Sequence, residues 1–386
     1  MPEEIRNQVK NPEGMNSTID SKFMRLALRE ARKGIGRTSP NPCVGAVIVQ
    51  DGTVLSRGYH KKAGTPHAEI NALRKAGNKA RGATMYVTLE PCNHTGRTPP
   101  CSHAVAVAGI KRVVVGMGDP NPLVSGSGIN YLREKGIEVL SGVLEKECLE
   151  LNLPFIKHIT TGRPFVVMKA GMSLDGRLSY QKGKPGQMTG EKSLHRLHGL
   201  RNSLDAILIG SGTITADNPS LTTRLGSRGR DPLRVILDSS LQLSLESKIL
   251  HLESSAPTLL FCSQSADEEK IARLTQLDGV LVQPIGADKE GMLDLNDVLD
   301  NLGEMGICSL LVEGGGTIHS NFLRNGLVDR VMLFVAPLFA GSEGTPLLSD
   351  FTVNNRAKAP ELRNVSYKRC GNDLLIQGDL FEPFTC

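Results

Sequence analysis

The stretch that decides the fold of the N-terminal half is T-P-H-A-E, residues 65–69, together with its distant complement E-P-C, residues 90–92, and Cys101. His67 offers an imidazole nitrogen, and Cys92 and Cys101 offer thiolates. Three protein ligands leave the fourth position of a tetrahedral Zn²⁺ open for water, which is the arrangement of a catalytic zinc rather than a structural one. The sequence therefore predicts that His67, Cys92 and Cys101 bind a catalytic zinc ion.

Glu69 follows His67 at the spacing at which zinc-dependent base deaminases carry a carboxylate that moves protons without binding the metal. Zinc lowers the pKa of its bound water to about 7. Glu69 is predicted to take the released proton and to return it to the ring nitrogen and the departing ammonia. The alternative is a chance coincidence of a core histidine and two spare thiols. It is disfavoured because H-A-E opens a helix-like run, residues 70–76, and a strand-like run, residues 85–89, delivers E-P-C.

The spacing of the two cysteines departs from the general deaminase pattern. P-C-x-x-C would place a cysteine where Thr95 stands, and N-H-T-G-R-T-P-P separates the two cysteines instead. P-H-A-E with L-E-P-C-N-H-T-G-R-T-P-P-C closely resembles the deaminase half of the bifunctional riboflavin-biosynthesis deaminase–reductase family of bacteria. Further similar stretches are D-P-N-P (residues 119–122), S-L-D-G-R (173–177), T-A-D-N-P-S-L-T-T-R (215–224) and V-E-G-G (312–315). The resemblance covers nearly the whole chain beyond the first twenty residues.

The resemblance implies an enzyme that acts on 2,5-diamino-6-ribosylamino-4(3H)-pyrimidinone 5′-phosphate. Zinc-dependent hydrolysis would remove the 2-amino group, and NADPH would then reduce the ribosyl group to ribitol, giving 5-amino-6-ribitylaminouracil 5′-phosphate. Two other classes stay open, an RNA-editing adenosine deaminase and a catalytically silent regulatory protein. The first is disfavoured by the cysteine spacing, the weak positive charge and the unexplained second half. The second is disfavoured because every deaminase motif position is filled.

The length of 386 residues exceeds one typical core and favours two or three domains. We expect a flexible polar tail at residues 1–20, a zinc-dependent deaminase domain at residues 21–161 and an NADPH-dependent reductase domain at residues 162–386. Alternating strand-like and helix-like runs indicate the α/β class in both domains, with hairpins at residues 44–59 and at the C-terminal edge. The resemblance implies a cytidine-deaminase-like three-layer α/β/α domain followed by a dihydrofolate-reductase-like α/β domain.

Further site residues are implied by the resemblance, position by position. In the deaminase half, the implied substrate contacts are Asn41, His94, Arg97, Asp119 and Asn121, with Arg97 directed towards the phosphate. In the reductase half, the implied substrate contacts are Lys169, Pro185, Arg201, Leu221, Arg224 and Glu313. The implied contacts with the NADPH cofactor are Gly171, Gln187, Thr213, Asp217, Gly315, Gly316 and Thr317.

Two glycine-rich turns in the second half follow strand-like runs, at residues 209–213 and 312–317. Glycines in such turns let backbone N–H groups approach a phosphate at the start of a helix. Each turn alone is a weak signal, because packing alone also favours glycine there and neither turn is a G-x-G-x-x-G motif. The pair favours a dinucleotide cofactor.

The chain departs from the resembled family after S-L-D-G-R. Gln187 stands where the family usually has a tryptophan that lines the cofactor site, and Pro185 stands where a substrate-contacting serine is often found. Either Met188 fills the gap in a re-formed site, or the chain is a monofunctional deaminase with an impaired reductase domain. We expect the first outcome, because the charged positions of the site are kept together.

Composition bears on partners and compartment. A net charge of +5 is a weak field for a chain of this length, and 5 Tyr and 10 Phe with no Trp disfavour a base-stacking surface, so we expect no nucleic-acid partner. No run suits a membrane span or a signal peptide, and the cysteines outside the zinc pair lack a framework spacing. We expect a cytoplasmic homo-oligomer, a dimer or tetramer, that binds a small phosphorylated ribosylaminopyrimidine and no membrane.

Overall fold

The computed structural model describes residues 15–94, 99–121, 124–226 and 229–381. The chain divides into two compact units, residues 1–160 and residues 161–386. This division lies one residue from the domain boundary that the sequence suggests. Within the described ranges, no helix is both long enough and apolar enough to cross a membrane.

The sheet of the first unit starts with a tight hairpin. Strands β1 (Gly45–Gln50) and β2 (Thr53–Tyr59) pair antiparallel. Asp51 and Gly52 connect them with φ angles of 49° and 75°. Two-residue hairpin turns of this kind need left-handed backbone, which glycine adopts freely and aspartate adopts more readily than most residues. The predicted N-terminal hairpin is confirmed.

The remaining elements of this unit place two motifs at one edge of the sheet. They are α2 (Ala68–Ala76), β3 (Thr84–Leu89), α3 (Cys101–Val107), β4 (Arg112–Met117), α4 (Ser127–Glu134), β5 (Glu138–Leu140) and α5 (Glu145–Thr161). The strand order is β2-β1-β3-β4-β5, with β1 antiparallel to β3 and with β3, β4 and β5 parallel. Because β3 and β4 are parallel, their carboxyl ends meet at one edge. That edge carries E-P-C after β3 and Asp119 after β4.

The first helix corrects the predicted tail. Helix α1 (Met15–Ala31) begins well before Ser21, where the sequence suggested a start, so the flexible tail through residue 20 is wrong for residues 15–20. Asp20 is buried, and its carboxylate accepts hydrogen bonds from the Tyr86 hydroxyl at 2.9 Å and from Arg112 at 2.8 and 3.0 Å. These partners lie on β3 and β4, and helical periodicity gives no sign of such distant acceptors and donors.

The second unit contains a nine-stranded sheet. Its strands are β6 (Phe165–Met172), β7 (Ala206–Gly210), β8 (Leu233–Leu237), β9 (Thr258–Ser263), β10 (Val280–Ile285), β11 (Ser309–Val312), β12 (Arg330–Val335), β13 (Arg363–Cys370) and β14 (Asp373–Asp379). The order is β10-β9-β8-β7-β11-β6-β12-β14-β13. Strands β6 to β12 pair in parallel, and β14 and β13 form the predicted antiparallel hairpin at the C-terminal edge.

Helices between the parallel strands complete this unit. They are α6 (Glu191–Ser203), α7 (Ser211–Asp217), α8 (Glu268–Thr275), α9 (Leu295–Glu304) and α10 (Gly316–Arg324). The core includes Phe261 of β9 and Phe322 of α10, both with no exposed surface. Burying a side chain of this size stabilises a fold by about 1.5–3 kcal/mol. Parallel pairing directs the carboxyl ends of β6, β7 and β11 to one edge, where open α/β sheets bind ligands.

We expect Asp20→Asn to lower the stability of the first unit. Asparagine keeps the size but cannot present two anionic oxygens to Arg112 and Tyr86, and losing a buried charge-assisted pair costs about 1–3 kcal/mol. The measurement is urea unfolding followed by circular dichroism. Glu138→Gln is the matched control, because Glu138 binds the other side of Arg112 at 2.7 Å and is 65% exposed, so its removal should cost under about 0.5 kcal/mol. Equal shifts of the two midpoints would contradict the assignment.

Candidate active sites

Three elements of the first unit bring the predicted zinc ligands together. His67 directly precedes α2, Cys92 follows β3, and Cys101 is the first residue of α3. The Nδ1 atom of His67 lies 3.2 Å from the Cys101 sulfur and 3.6 Å from the Cys92 sulfur, and all three ligand atoms lie within 4.8 Å of one another. Zinc–nitrogen and zinc–sulfur bonds at a tetrahedral angle hold N and S about 3.6 Å apart. The spacing of these side chains therefore fits Zn²⁺.

The protonation of the two thiols supports the same fit. The hydrogen bond from Cys101, helped by His67 and opposed by burial, lowers the pKa of Cys92 to about 4. The same bond raises the pKa of Cys101, and the hydrogen bond with Cys92 raises the pKa of His67. The two sulfurs and the imidazole thus share protons through the Cys101–Cys92 and Cys92–His67 hydrogen bonds. A divalent cation replaces these shared protons, since a coordinating thiol loses its proton outright.

Glu69 lies in the first turn of α2, next to this cluster. Its side chain is 3% exposed, and its Oε2 atom has no hydrogen-bond partner among the described residues. Burial raises the pKa of Glu69 to about 7, although His67 opposes the shift. A carboxyl group whose pKa lies near neutrality can both accept and return a proton. This is the chemistry that the sequence predicted at Glu69.

A cavity of about 530 Å³ opens beside Glu69. Its volume lies in the range of small-molecule binding sites. His67 and Cys92 line it, and Cys101 is buried. Four of the predicted substrate contacts also line the cavity: Asn41, His94, Asp119 and Asn121. Arg97, the fifth, lies outside the described residues.

The second unit has a cavity of about 640 Å³ at the carboxyl ends of β6, β7 and β11. Most of the predicted reductase residues line it: Lys169, Gly171, Arg201, Thr213, Asp217, Leu221, Glu313, Gly315, Gly316 and Thr317. Three do not. Arg224 has an exposed side chain, Pro185 lines a separate shallow pocket with Tyr180, and the exposed Gln187 donates from Nε2 to the Thr189 carbonyl at 3.2 Å.

Three charged side chains meet in this cavity. Arg201 of α6 donates to Glu313 Oε2 at 3.0 Å, and both side chains are mostly buried. Burial acts to raise the pKa of Glu313, but Arg201 and Lys169 outweigh it and hold the pKa below its usual value. Burial lowers the pKa of Lys169, with Glu313 opposing. The cavity therefore offers an anionic carboxylate with two basic groups beside it.

The glycine turn after β11 can hold a phosphate. Helix α10 begins at Gly316, and the N–H groups of its first turn have no acceptor within the helix. A side chain at Gly316 would lie 2.5 Å from the Ser349 Oγ and 2.6 Å from the Pro346 carbonyl, so only glycine fits there. A helix start with free N–H groups favours an anion. These residues fit the diphosphate of a dinucleotide such as NADPH.

Comparison with known proteins identifies the family. Residues 164–376 match the RibD C-terminal domain, and residues 17–117 match the cytidine and deoxycytidylate deaminase zinc-binding region. The riboflavin biosynthesis protein RibD of Aquifex aeolicus is 42% identical over 358 residues, which span 93% of this chain and 98% of the relative. The chain belongs to the RibD family. The RibD protein of Escherichia coli is 37% identical over 92% of this chain and 98% of its own.

Solved structures of RibD family members share the fold. RibD of Acinetobacter baumannii superposes with a TM-score of 0.84 at 35% identity, covering 94% of this chain and 99% of its own. A diaminohydroxyphosphoribosylaminopyrimidine deaminase/5-amino-6-(5-phosphoribosylamino)uracil reductase from Thermotoga maritima gives the same TM-score and coverage at 37% identity. The predicted fold class, a deaminase-like domain followed by a reductase domain, is confirmed.

Sequence reasoning missed several residues that line the first cavity. His60, directly after β2, binds Asn41 Nδ2 through Nε2 at 3.1 Å and the Pro66 carbonyl through Nδ1 at 3.3 Å. This network assigns a proton to Nδ1, and burial lowers the pKa of His60, with the hydrogen bond to Pro66 opposing. Phe155 and Ile159 of α5 form an apolar wall. Only His60 carried a sequence signal, a polar residue at the end of a strand beside the motif.

Cys92→Ala should remove the metal. With one thiolate fewer, the cluster has only two ligands, so zinc content should fall from about one per chain to near zero, and the melting temperature should fall because metal binding contributes to folding. Elemental analysis of purified protein measures this. Cys43→Ala is the control, because Cys43 is a half-buried thiol of the same unit outside the cluster. Stoichiometric zinc in the Cys92 variant would contradict the assignment.

Proposed function

We propose that this RibD family member catalyses two consecutive steps of riboflavin biosynthesis. The first is hydrolytic loss of the 2-amino group from 2,5-diamino-6-ribosylamino-4(3H)-pyrimidinone 5′-phosphate. The second is NADPH-dependent reduction of the ribosyl group, which gives 5-amino-6-ribitylaminouracil 5′-phosphate. The observation that carries the proposal is the presence of two separate cavities, one with the zinc cluster and Glu69 and one with the Arg201–Glu313 pair and the glycine turn.

In the first site, the chain positions water and substrate. His67, Cys92 and Cys101 would hold Zn²⁺, which activates a water molecule as a nucleophile. Glu69 accepts a proton from that water as its oxygen bonds to the ring carbon. It passes this proton to the ring nitrogen. It then takes the second proton from the new hydroxyl group on the ring carbon and passes it to the amino group, so that the C–N bond breaks, ammonia leaves and a carbonyl forms. The proposed substrate contacts are Asn41, His94, Asp119 and Asn121, with Arg97 towards the phosphate.

In the second site, the chain binds the cofactor beside the sugar. NADPH supplies the hydride that reduces the ribosyl C1. We assign the cofactor contacts to Gly171, Thr213, Asp217, Gly315, Gly316 and Thr317, and we assign the substrate contacts to Lys169, Arg201, Leu221 and Glu313. Lys169 lies near Glu313, whose charge opposes the fall in the Lys169 pKa on burial, and its Nζ can donate a hydrogen bond to a sugar oxygen. The Arg201–Glu313 ion pair keeps the carboxylate charged and oriented.

Three of the predicted contacts lie outside the cavity. Pro185, Gln187 and Arg224 do not line the cavity, so their roles rest on sequence resemblance alone. The division of labour is also a proposal: residues 21–161 carry deamination and residues 162–386 carry reduction, in line with the two compact units. We also propose that the protein is a homo-oligomer, a dimer or tetramer, and composition supports a cytoplasmic location without a nucleic-acid partner.

Two assays on one preparation test the function. Wild-type protein should release ammonia from the diaminopyrimidine without NADPH and should oxidise NADPH only once that product is present. Glu69→Ala should keep about one zinc per chain yet lose at least about 100-fold in ammonia release, because it lacks the proton carrier. Its NADPH oxidation with supplied deaminated substrate should equal that of wild type. A variant that deaminates normally, or that loses zinc, would refute the role of Glu69.

The Gln187 position discriminates a re-formed reductase site from an impaired one. Because the Gln187 side chain is exposed and bound to Thr189, Gln187→Trp should change the Kd for NADPH less than about threefold. Asp217→Ala, which alters the cavity wall, should weaken binding more. Fluorescence titration of NADPH measures both variants. A wild-type chain that never oxidises NADPH at saturation would instead indicate a monofunctional deaminase.

A further inference from the structure

Glu90 lies between β3 and the zinc ligand Cys92, and the proposed chemistry does not use it. Its side chain is buried, at 5% exposure. The Oε1 atom accepts hydrogen bonds from the backbone N–H of Gly128 at 2.9 Å and Ile129 at 3.2 Å. The Oε2 atom accepts from the N–H of Gly126 at 3.0 Å and Asp119 at 3.3 Å. Four backbone donors thus converge on one carboxylate.

Two of these donors belong to the first turn of α4. The N-terminal N–H groups of a helix need an acceptor, and a Ser, Thr, Asp or Asn at the N-cap usually supplies it. The N-cap of α4 is Gly126, which has no side chain and a left-handed φ of 78°. Glu90, the residue directly after β3, supplies the missing acceptor, and its negative charge is favourable at the positive end of the helix dipole. The start of α4 therefore depends on the strand that leads to Cys92.

Close backbone contact fixes the distance between α4 and this strand. A side chain at Gly128 would lie 1.9 Å from the Pro91 carbonyl oxygen. Only glycine lets α4 approach so closely, so the first turn of the helix packs directly on E-P-C. The helix start and the zinc ligand strand are consequently held at one separation.

The other two donors connect Glu90 to the wall of the first cavity. Asp119 binds Glu90 through its N–H and accepts the Asn121 N–H on Oδ1 at 2.9 Å. Asp119 and Asn121 both line the cavity. Hydrogen bonds therefore link Glu90 to the backbone of Asp119 and, through the Asp119 carboxylate, link Asp119 to the backbone N–H of Asn121. These hydrogen bonds hold the described segments 119–121 and 124–126 against the strand that carries Cys92.

We infer that Glu90 is a positioning residue for substrate binding in the deaminase site, acting through its hydrogen bonds to Asp119, Gly126, Gly128 and Ile129. Glu90 itself also lines the cavity, but both of its carboxylate oxygens are taken up by the four backbone N–H groups. Its assigned role is therefore to set the place of Asp119 and Asn121 relative to the metal cluster. The inference rests on the proposed deamination for its substrate. It goes beyond that proposal by assigning a role to a residue of E-P-C that neither binds zinc nor moves a proton.

Glu90→Gln tests the role with little change in size. The amide nitrogen of glutamine cannot accept a hydrogen bond, so two of the four N–H groups lose their acceptor. The KM for the diaminopyrimidine should rise at least about tenfold, while kcat stays within about threefold, because the reacting groups remain in place. Zinc content should stay near one per chain. Hydrogen–deuterium exchange of peptides spanning residues 118–130 should accelerate, and this readout needs no activity.

Two further variants separate positioning from general stability. Glu90→Asp keeps both anionic oxygens on a shorter side chain, so its KM should lie between those of wild type and Glu90→Gln. Asp20→Asn removes a buried carboxylate of the same unit that does not line the cavity, so it should lower the melting temperature but leave KM and exchange at residues 118–130 unchanged.

The outcomes are distinct. Unchanged KM and unchanged exchange in Glu90→Gln would overturn the inference, as would loss of zinc with a fall in kcat at constant KM. If Glu90→Gln does not fold, the KM of Glu90→Asp decides, and a wild-type value would overturn the role. A wild-type enzyme that releases no ammonia would refute the proposed function instead. Hydrogen–deuterium exchange at residues 118–130 in the Glu90 variants would still test whether the Glu90 hydrogen bonds hold this segment in place.

Discussion

The first unit depends on the close approach of His67, Cys92 and Cys101. Each ligand sits where one element ends or another begins: before α2, after β3 and at the start of α3. Two thiols and an imidazole within 4.8 Å are crowded unless a cation neutralises them. The pKa shifts of Cys92, Cys101 and His67 result from this close approach, and a bound zinc ion would replace the shared protons. The same edge of the sheet then supplies Glu69 and the cavity, so the metal cluster and the substrate site share one origin in the parallel pairing of β3 with β4.

The second unit also places its cavity at the carboxyl ends of parallel strands. Seven parallel strands place the turns after β6, β7 and β11 at one edge, and that edge holds both the free N–H groups of α10 and the charged side chains. Buried charges are costly unless paired, and Arg201 pairs with Glu313 at 3.0 Å. The pair therefore keeps an anionic carboxylate inside a cavity beside Lys169. Gln187 is exposed and lies outside this arrangement.

Much of this could be predicted from local signals. The sequence Asp51-Gly52 predicts a hairpin because these residues adopt left-handed backbone readily. H-A-E together with E-P-C predicts the metal ligands because few other functions need that pattern. Helix α1 shows the limit of such signals. Polar residues before Ser21 suggested a flexible tail, yet Asp20 is buried. Tyr86 and Arg112, on strands far along the chain, donate hydrogen bonds to its carboxylate. Sequence reasoning places a polar residue in solvent unless its hydrogen-bond partners are known, and partners distant along the chain cannot be identified from the sequence.

By itself, the sequence determined the α/β class, the glycine turns and, through resemblance, the family, and it predicted the zinc ligands and the proton-carrying role of Glu69. These features are local in spacing or in chemistry. Only the tertiary structure decided which candidates share a cavity, that His60 orients Asn41, that Arg224 and Gln187 lie outside, and that Glu90 caps α4. Each of these depends on contacts between residues distant in sequence, since side-chain direction and burial follow from how strands and helices pack. The four groups that donate to Glu90 are backbone N–H groups, so the identities of their residues do not reveal this contact in the sequence.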